Sequence, residues 1–113
     1  MSDRERDAPQ EIRLTVVAGT FDARPGCEAA LAGVLARYVV VSRAQAGCRN
    51  IDLVLSLTAP GRFLVYEKWD APERQQAHME SPTLAEMAAA AGPLLAAPPD
   101  FGLFEGVSAH DLT

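Results

Sequence analysis

The chain has 113 residues, with 15 acidic against 10 basic side chains, a net charge of −5 and an apolar content of 49%. That length holds one domain around one core, and the negative charge disfavours both phosphate backbones and anionic lipid, so we expect neither nucleic acid nor a membrane as a partner. Aromatic residues are scarce at 6%, so the core must rest on Leu, Val and Ala and the place of each ring is informative.

Two cysteines, Cys27 and Cys48, are too few for a disulfide framework and show no zinc-ligand spacing, so both read as buried thiols. The opening MSDRERDAPQ is charged and lacks an apolar segment, which predicts neither a signal peptide nor an anchor but a cytoplasmic protein with residues 1–11 loose.

In chain order, IRLTVVAGTF (12–21) is rich in β-branched residues and predicts a strand, closed by the turn-like DARPG. From Pro25 the period changes. Cys27, Leu31, Val34, Leu35, Tyr38 and Val41 recur at helical spacing and predict an amphipathic helix ending near Gly47, although the run of valines at 39–41 opposes it. CRNIDLVLSLTAPGRFLVYEKW (48–69) then reads as a hairpin with a loop at 58–61.

Alternation puts Ile51, Leu53, Leu55 and Leu57 on one face of the first arm, and Leu64 and Tyr66 on one face of the second. Keeping both sets together makes opposed residue numbers sum to 119. The other face then pairs Asn50 with Trp69, Asp52 with Glu67, Val54 with Val65 and Ser56 with Phe63. A face bearing Phe63, Val65 and Trp69 needs a cover.

After Trp69 a short helix is predicted, with Asp70 as N-cap, Pro72 in the first turn and Glu73 completing a capping box. Ser81-Pro82 restarts it, and LAEMAAAAG stops at Gly92-Pro93. LLAAPPD is a connector and FGLFEGV (101–107) a last strand weakened by two glycines. The order is β-α-β-β-α-β, an α+β split βαβ domain over 12–107 with both helices on one face of an antiparallel sheet, followed by a polar tail at 108–113. A second copy of the chain is the economical cover for the bare face, which predicts a homodimer. His110, in the tail, is unassigned.

SRAQAGCRNIDL (42–53), FLVYEKWDAPERQQAHMESP (63–82) and the Pro-Gly at 25–26 together resemble the antibiotic biosynthesis monooxygenase (ABM) domain family over about residues 12–107. That resemblance implies a ferredoxin-like fold that dimerises sheet to sheet into an α+β barrel. It also implies oxygenation without metal or flavin, in which a phenol or quinol loses a proton and its anion reduces O₂. The superfamily includes quinol and polyketide-aglycone monooxygenases, haem-degrading enzymes and members with no known reaction.

On this resemblance Trp69 and Phe63 would stack on an aromatic substrate, Asn50 would hydrogen-bond an oxyanion, and His78 or a carboxylate would take the proton. The catalytic candidates are therefore His78, Asn50 and Trp69, and the substrate-binding candidates Phe63, Trp69, Asp52, Glu67 and Tyr38. Each has a plainer reading. His78 fits a packed helix histidine, Trp69 a core or interface plug and Tyr38 a core residue. Asp52 and Glu67, functional if they share a proton, fit equally a solvated couple or one paired with Arg49 or Lys68.

The sequence also departs from its relatives. Thr83 stands where quinol-oxidising relatives often carry a second histidine, and Ile51 where they are often aromatic. The first strand lacks the Asn of the haem-degrading branch, which disfavours haem binding through His78. A dimeric module that binds a small aromatic or serves a stress response without turnover is the alternative from another class.

Overall fold

A computed structural model describes residues 11–12, 14–107 and 111–112. The strands are β1 (Glu11–Ile12), β2 (Thr15–Asp22), β3 (Cys48–Leu55), β4 (Arg62–Trp69), β5 (Asp100–Glu105) and β6 (Asp111–Leu112). The helices are α1 (Glu28–Ser42), α2 (Pro72–Met79) and α3 (Pro82–Ala91), with a 3₁₀ turn at Gly92–Leu94. β2 to β5 form one antiparallel sheet in the order β3-β4-β2-β5. With one helix crossing after β2 and the α2–α3 pair after β4, this is the ferredoxin-like α+β fold. β1 and β6 pair in a separate two-stranded ladder. The predicted loose start and polar tail, with His110, otherwise lie outside the described residues.

The predicted elements hold, with two corrections that bear on the site. The first is the hairpin register. Opposed residues of β3 and β4 sum to 118 rather than 119: Ile51 lies opposite Glu67, Asp52 opposite Tyr66, Leu53 opposite Val65 and Leu55 opposite Phe63. A one-residue slip exchanges every side chain of a strand between faces. Phe63, Val65, Glu67 and Trp69 therefore face the helices beside Ile51 and Leu53, while Leu64, Tyr66, Asn50, Asp52 and Val54 face outward.

At the base of the hairpin a bulge between Cys48 and Asn50 shifts the pairing again, so Cys48 lies opposite Trp69. The Asp52–Glu67 and Asn50–Trp69 pairs do not form.

The second correction is the cap of α2. Ala71, in extended conformation, occupies the N-cap and makes no side-chain cap bond. Asp70 sits one position earlier, its backbone N–H donating to Gly47 O at 2.9 Å. The restart at α3 is as read: Ser81 accepts from Leu84 N at 3.3 Å, with Pro82 at the first helical position.

The core lies between α1, α3 and the inner sheet face, built from Phe21, Leu31, Leu35, Ile51, Val65 and Met87 among others. Gly19 leaves room for the Phe101 ring, which lies where a Cβ would be and meets Phe21 edge-on at 5.5 Å. Among the described residues no helix is long and apolar enough to cross a membrane.

Candidate active site

Four residues that the sequence nominated converge at one end of the layer between helices and sheet. β4 delivers Glu67 and Trp69 two positions apart on its inner face, α1 delivers Tyr38 and α2 delivers His78. All four are buried, with exposures of 3% or less. Tyr38 Oη donates to Glu67 Oε2 at 2.6 Å and lies 2.6 Å from His78 Nε2. Trp69 Nε1 donates to the other carboxylate oxygen, Oε1, at 2.9 Å. The indole and imidazole rings stack at 4.5 Å between centroids, tilted by 31°.

The second ring nitrogen, His78 Nδ1, lies 2.7 Å from Gln45 Oε1. Gln45 belongs to the tight turn after α1. Gly47 closes that turn at φ +86°, and a Cβ there would collide with Arg74. Arg43 ties the turn to the sheet by donating from Nη2 to Ile51 O at 3.0 Å. Nothing in the sequence singles out Gln45, which lies in SRAQAGC five residues before Asn50.

The electrostatics follow from burial. A carboxylate taken out of water is costly unless its lone pairs are met, and here both oxygens of Glu67 accept. Burial lowers the proton affinity of His78, against an opposing pull from Glu67. Burial, then the charge of Glu67, pushes the Tyr38 phenol well above its usual range. The Cys48 thiol is pushed up for the same two reasons.

The remaining candidates are elsewhere. Phe63 is buried in the core two steps along β4 from Glu67. Asn50 and Asp52 are on the outward face, bonded to each other at 2.8 Å, with Asp52 3.8 Å from Arg43 Nη2. The neutralising partner of Asp52 is therefore Arg43, while Lys68 sits over the Tyr66 ring.

Two cavities flank α3. The one nearer the cluster is a groove of about 210 Å³ between α1 and α3, with Val34, Tyr38, Val41, Met87 and Ala90 in its walls. The larger, about 430 Å³, lies toward the other end of the layer between Phe21, α3, the Leu95–Pro99 stretch and Phe101. Among the described residues no three His, Cys, Asp or Glu side chains are grouped to hold a metal ion.

The sequence pattern of the antibiotic biosynthesis monooxygenase family matches residues 14–90. No curated protein matches the chain. Among solved structures, a candidate antibiotic biosynthesis monooxygenase of Nitrosomonas europaea superposes with a TM-score of 0.81 at 18% identity, over 88% of this chain and 95% of that one. A second Nitrosomonas europaea protein, of unknown function, is 28% identical with a TM-score of 0.78, over 87% and 93% of the two chains. A Mycobacterium tuberculosis protein is 26% identical with a TM-score of 0.78, over 84% and 96%. The match spans all four cluster residues, and the chain belongs to the antibiotic biosynthesis monooxygenase family.

Proposed function

We propose that the chain is a monooxygenase that oxidises a small phenolic or quinol-type aromatic with O₂, without a metal or organic cofactor, in the cytoplasm. The observation that carries this reading is the buried Tyr38–Glu67–His78–Trp69 cluster, whose Tyr38 also lines the groove between α1 and α3. A substrate ring bound in that groove would pack against Val34, Val41 and Met87, with Arg37, Thr83 and Glu86 completing the walls. Its hydroxyl proton would pass to the cluster, and the electron-rich anion would then react with O₂. The groove is smaller than the roughly 300–1,000 Å³ usual for ligand pockets, which favours a compact aromatic over a polycyclic one. Trp69 stacks on His78 and so supports the base; Asn50, Asp52 and Phe63 have no part in this version of the site.

The outward sheet face supports the dimer in the same reading. It presents Val54 and Phe104 at 49% and 55% exposure, beside Leu64 and Tyr66. A second copy laid sheet to sheet would remove this apolar surface from water. Haem ligation is disfavoured, because both ring nitrogens of His78 are engaged at 2.6 and 2.7 Å and one contact would have to break.

The test is oxygen uptake by metal-free, flavin-free protein with a panel of quinols and anthrone-like phenols, beside His78→Ala and Trp69→Phe. Uptake above autoxidation that falls in both variants is the expected result. Uptake that never exceeds autoxidation would leave a binding module without turnover.

A further inference from the structure

The protons of the buried cluster do not match its contacts. Tyr38 has one hydroxyl proton and two short contacts, each 2.6 Å, to Glu67 Oε2 and His78 Nε2. Gln45 presents its carbonyl oxygen to His78 Nδ1 at 2.7 Å, so Nδ1 carries a proton and donates it. In neutral imidazole Nε2 is then bare. Glu67, read as a carboxylate, offers only lone pairs, and Trp69 Nε1 supplies Oε1 alone. Two acceptors thus share the single proton of Tyr38, and one of the two short contacts has none.

One added proton resolves the mismatch. Placed on Nε2, it lets His78 donate to Tyr38 Oη while Tyr38 donates to Glu67, and every contact then has a donor and an acceptor. The carboxylate oxygen Oε1 stands 3.9 Å from Nε2 to balance the positive charge. We infer that Tyr38 joins Glu67 and His78 into a single proton-accepting unit, and that it is the relay through which a proton from the groove between α1 and α3 reaches that unit.

The shared proton stands without any substrate; the transfer rests on the phenol-oxidising reading above. In that transfer the substrate O–H bond breaks and a Tyr38 O–H bond forms. The former Tyr38 O–H bond breaks and an N–H bond forms at His78 Nε2, leaving substrate anion and imidazolium. Other ionisable groups near the unit are the Cys48 thiol on β3, which feels Glu67, the Arg43 guanidinium, which feels Cys48, and Arg37 and Glu86, which line the groove with Tyr38. None of them is hydrogen-bonded to the His78 ring among the described contacts.

The test is ¹⁵N–¹H NMR of the two imidazole rings across pH, in the unmodified chain, Tyr38→Phe and Glu67→Gln, with no substrate present. At neutral pH His78 is expected as the Nδ1–H tautomer. A neutral ring protonated at Nε2 would mean that the Gln45 amide is turned the other way and that nothing is missing, which overturns the inference. Tyr38→Phe keeps the ring in place and removes the bridge, so the proton affinity of His78 should fall at least about tenfold, the scale of one charge-assisted hydrogen bond. Glu67→Gln should lower it as well.

His78 titrating alike in all three proteins would reduce Tyr38 to packing. If Tyr38→Phe fails to fold, the tautomer in the unmodified chain and the Glu67→Gln titration still decide. Because none of these signals needs turnover, failure of the relay and failure of the oxygenase reading are separable. Oxygen uptake that survives with an uncoupled His78 would sink only the relay.

Discussion

The two ends of the helix–sheet layer are built on opposite plans. At the Trp69 end the inner face is polar and buried: a carboxylate, a phenol, an imidazole and an indole N–H sit within hydrogen-bonding reach of one another. At the Phe21 end it is apolar and open. Alanines at 88, 91, 96 and 97 leave a hollow of about 430 Å³ where larger side chains would have met. The single charged group there is Arg24, whose Nε is occupied by Leu95 O at 2.8 Å. Volume and chemistry are thus at different ends of the layer.

Substitutions at the two ends should separate them sharply. The largest effect is expected from Trp69→Ala, which empties a fully buried ring and strips a donor from Glu67. Urea unfolding should show a loss of about 4 kcal/mol, and a loss under about 1 kcal/mol would show that the polar end is not a packed unit.

Next is acid. His78 takes up a proton less readily folded than unfolded, where its ordinary value is 6.5. Stability at this end should be complete above about pH 6.5 and fall as the pH drops through the lowered folded value. Thermal unfolding of the native chain and His78→Gln across that window checks it, since only the native chain should show the His78 part of the slope. The smallest effect belongs to the open end. Ala88→Leu adds apolar volume at a groove wall and should change stability by less than about 1 kcal/mol in either direction.

The order of elements was legible because each change of period is written in the chain: β-branched alternation in β2, three- and four-residue spacing in α1, Ser81-Pro82 at the restart of α3. Register was not. β4 is apolar on both faces, with Phe63 and Val65 on one and Leu64 and Tyr66 on the other, so alternation cannot say which pair turns inward. The bulge before Asn50 adds a second shift that no residue type announces. That single uncertainty moved Asn50 and Asp52 into the expected site and misassigned the partner of Glu67.

Glu67, Trp69 and His78 come together regardless of register, because they lie close along the chain where β4 and α2 meet. Tyr38 was a candidate without a partner, since nothing local says which strand residue a helix side chain will reach. Gln45 was missed altogether because its place depends on the backbone turn at Gly47.

The stacking of the only tryptophan in the chain on His78 makes this protein its own optical reporter. All indole emission comes from one ring, 4.5 Å from the imidazole, and a positive charge at that distance acts directly on the ring's π electrons. The protonation state of His78 can therefore be followed by intrinsic fluorescence, in real time and without a label.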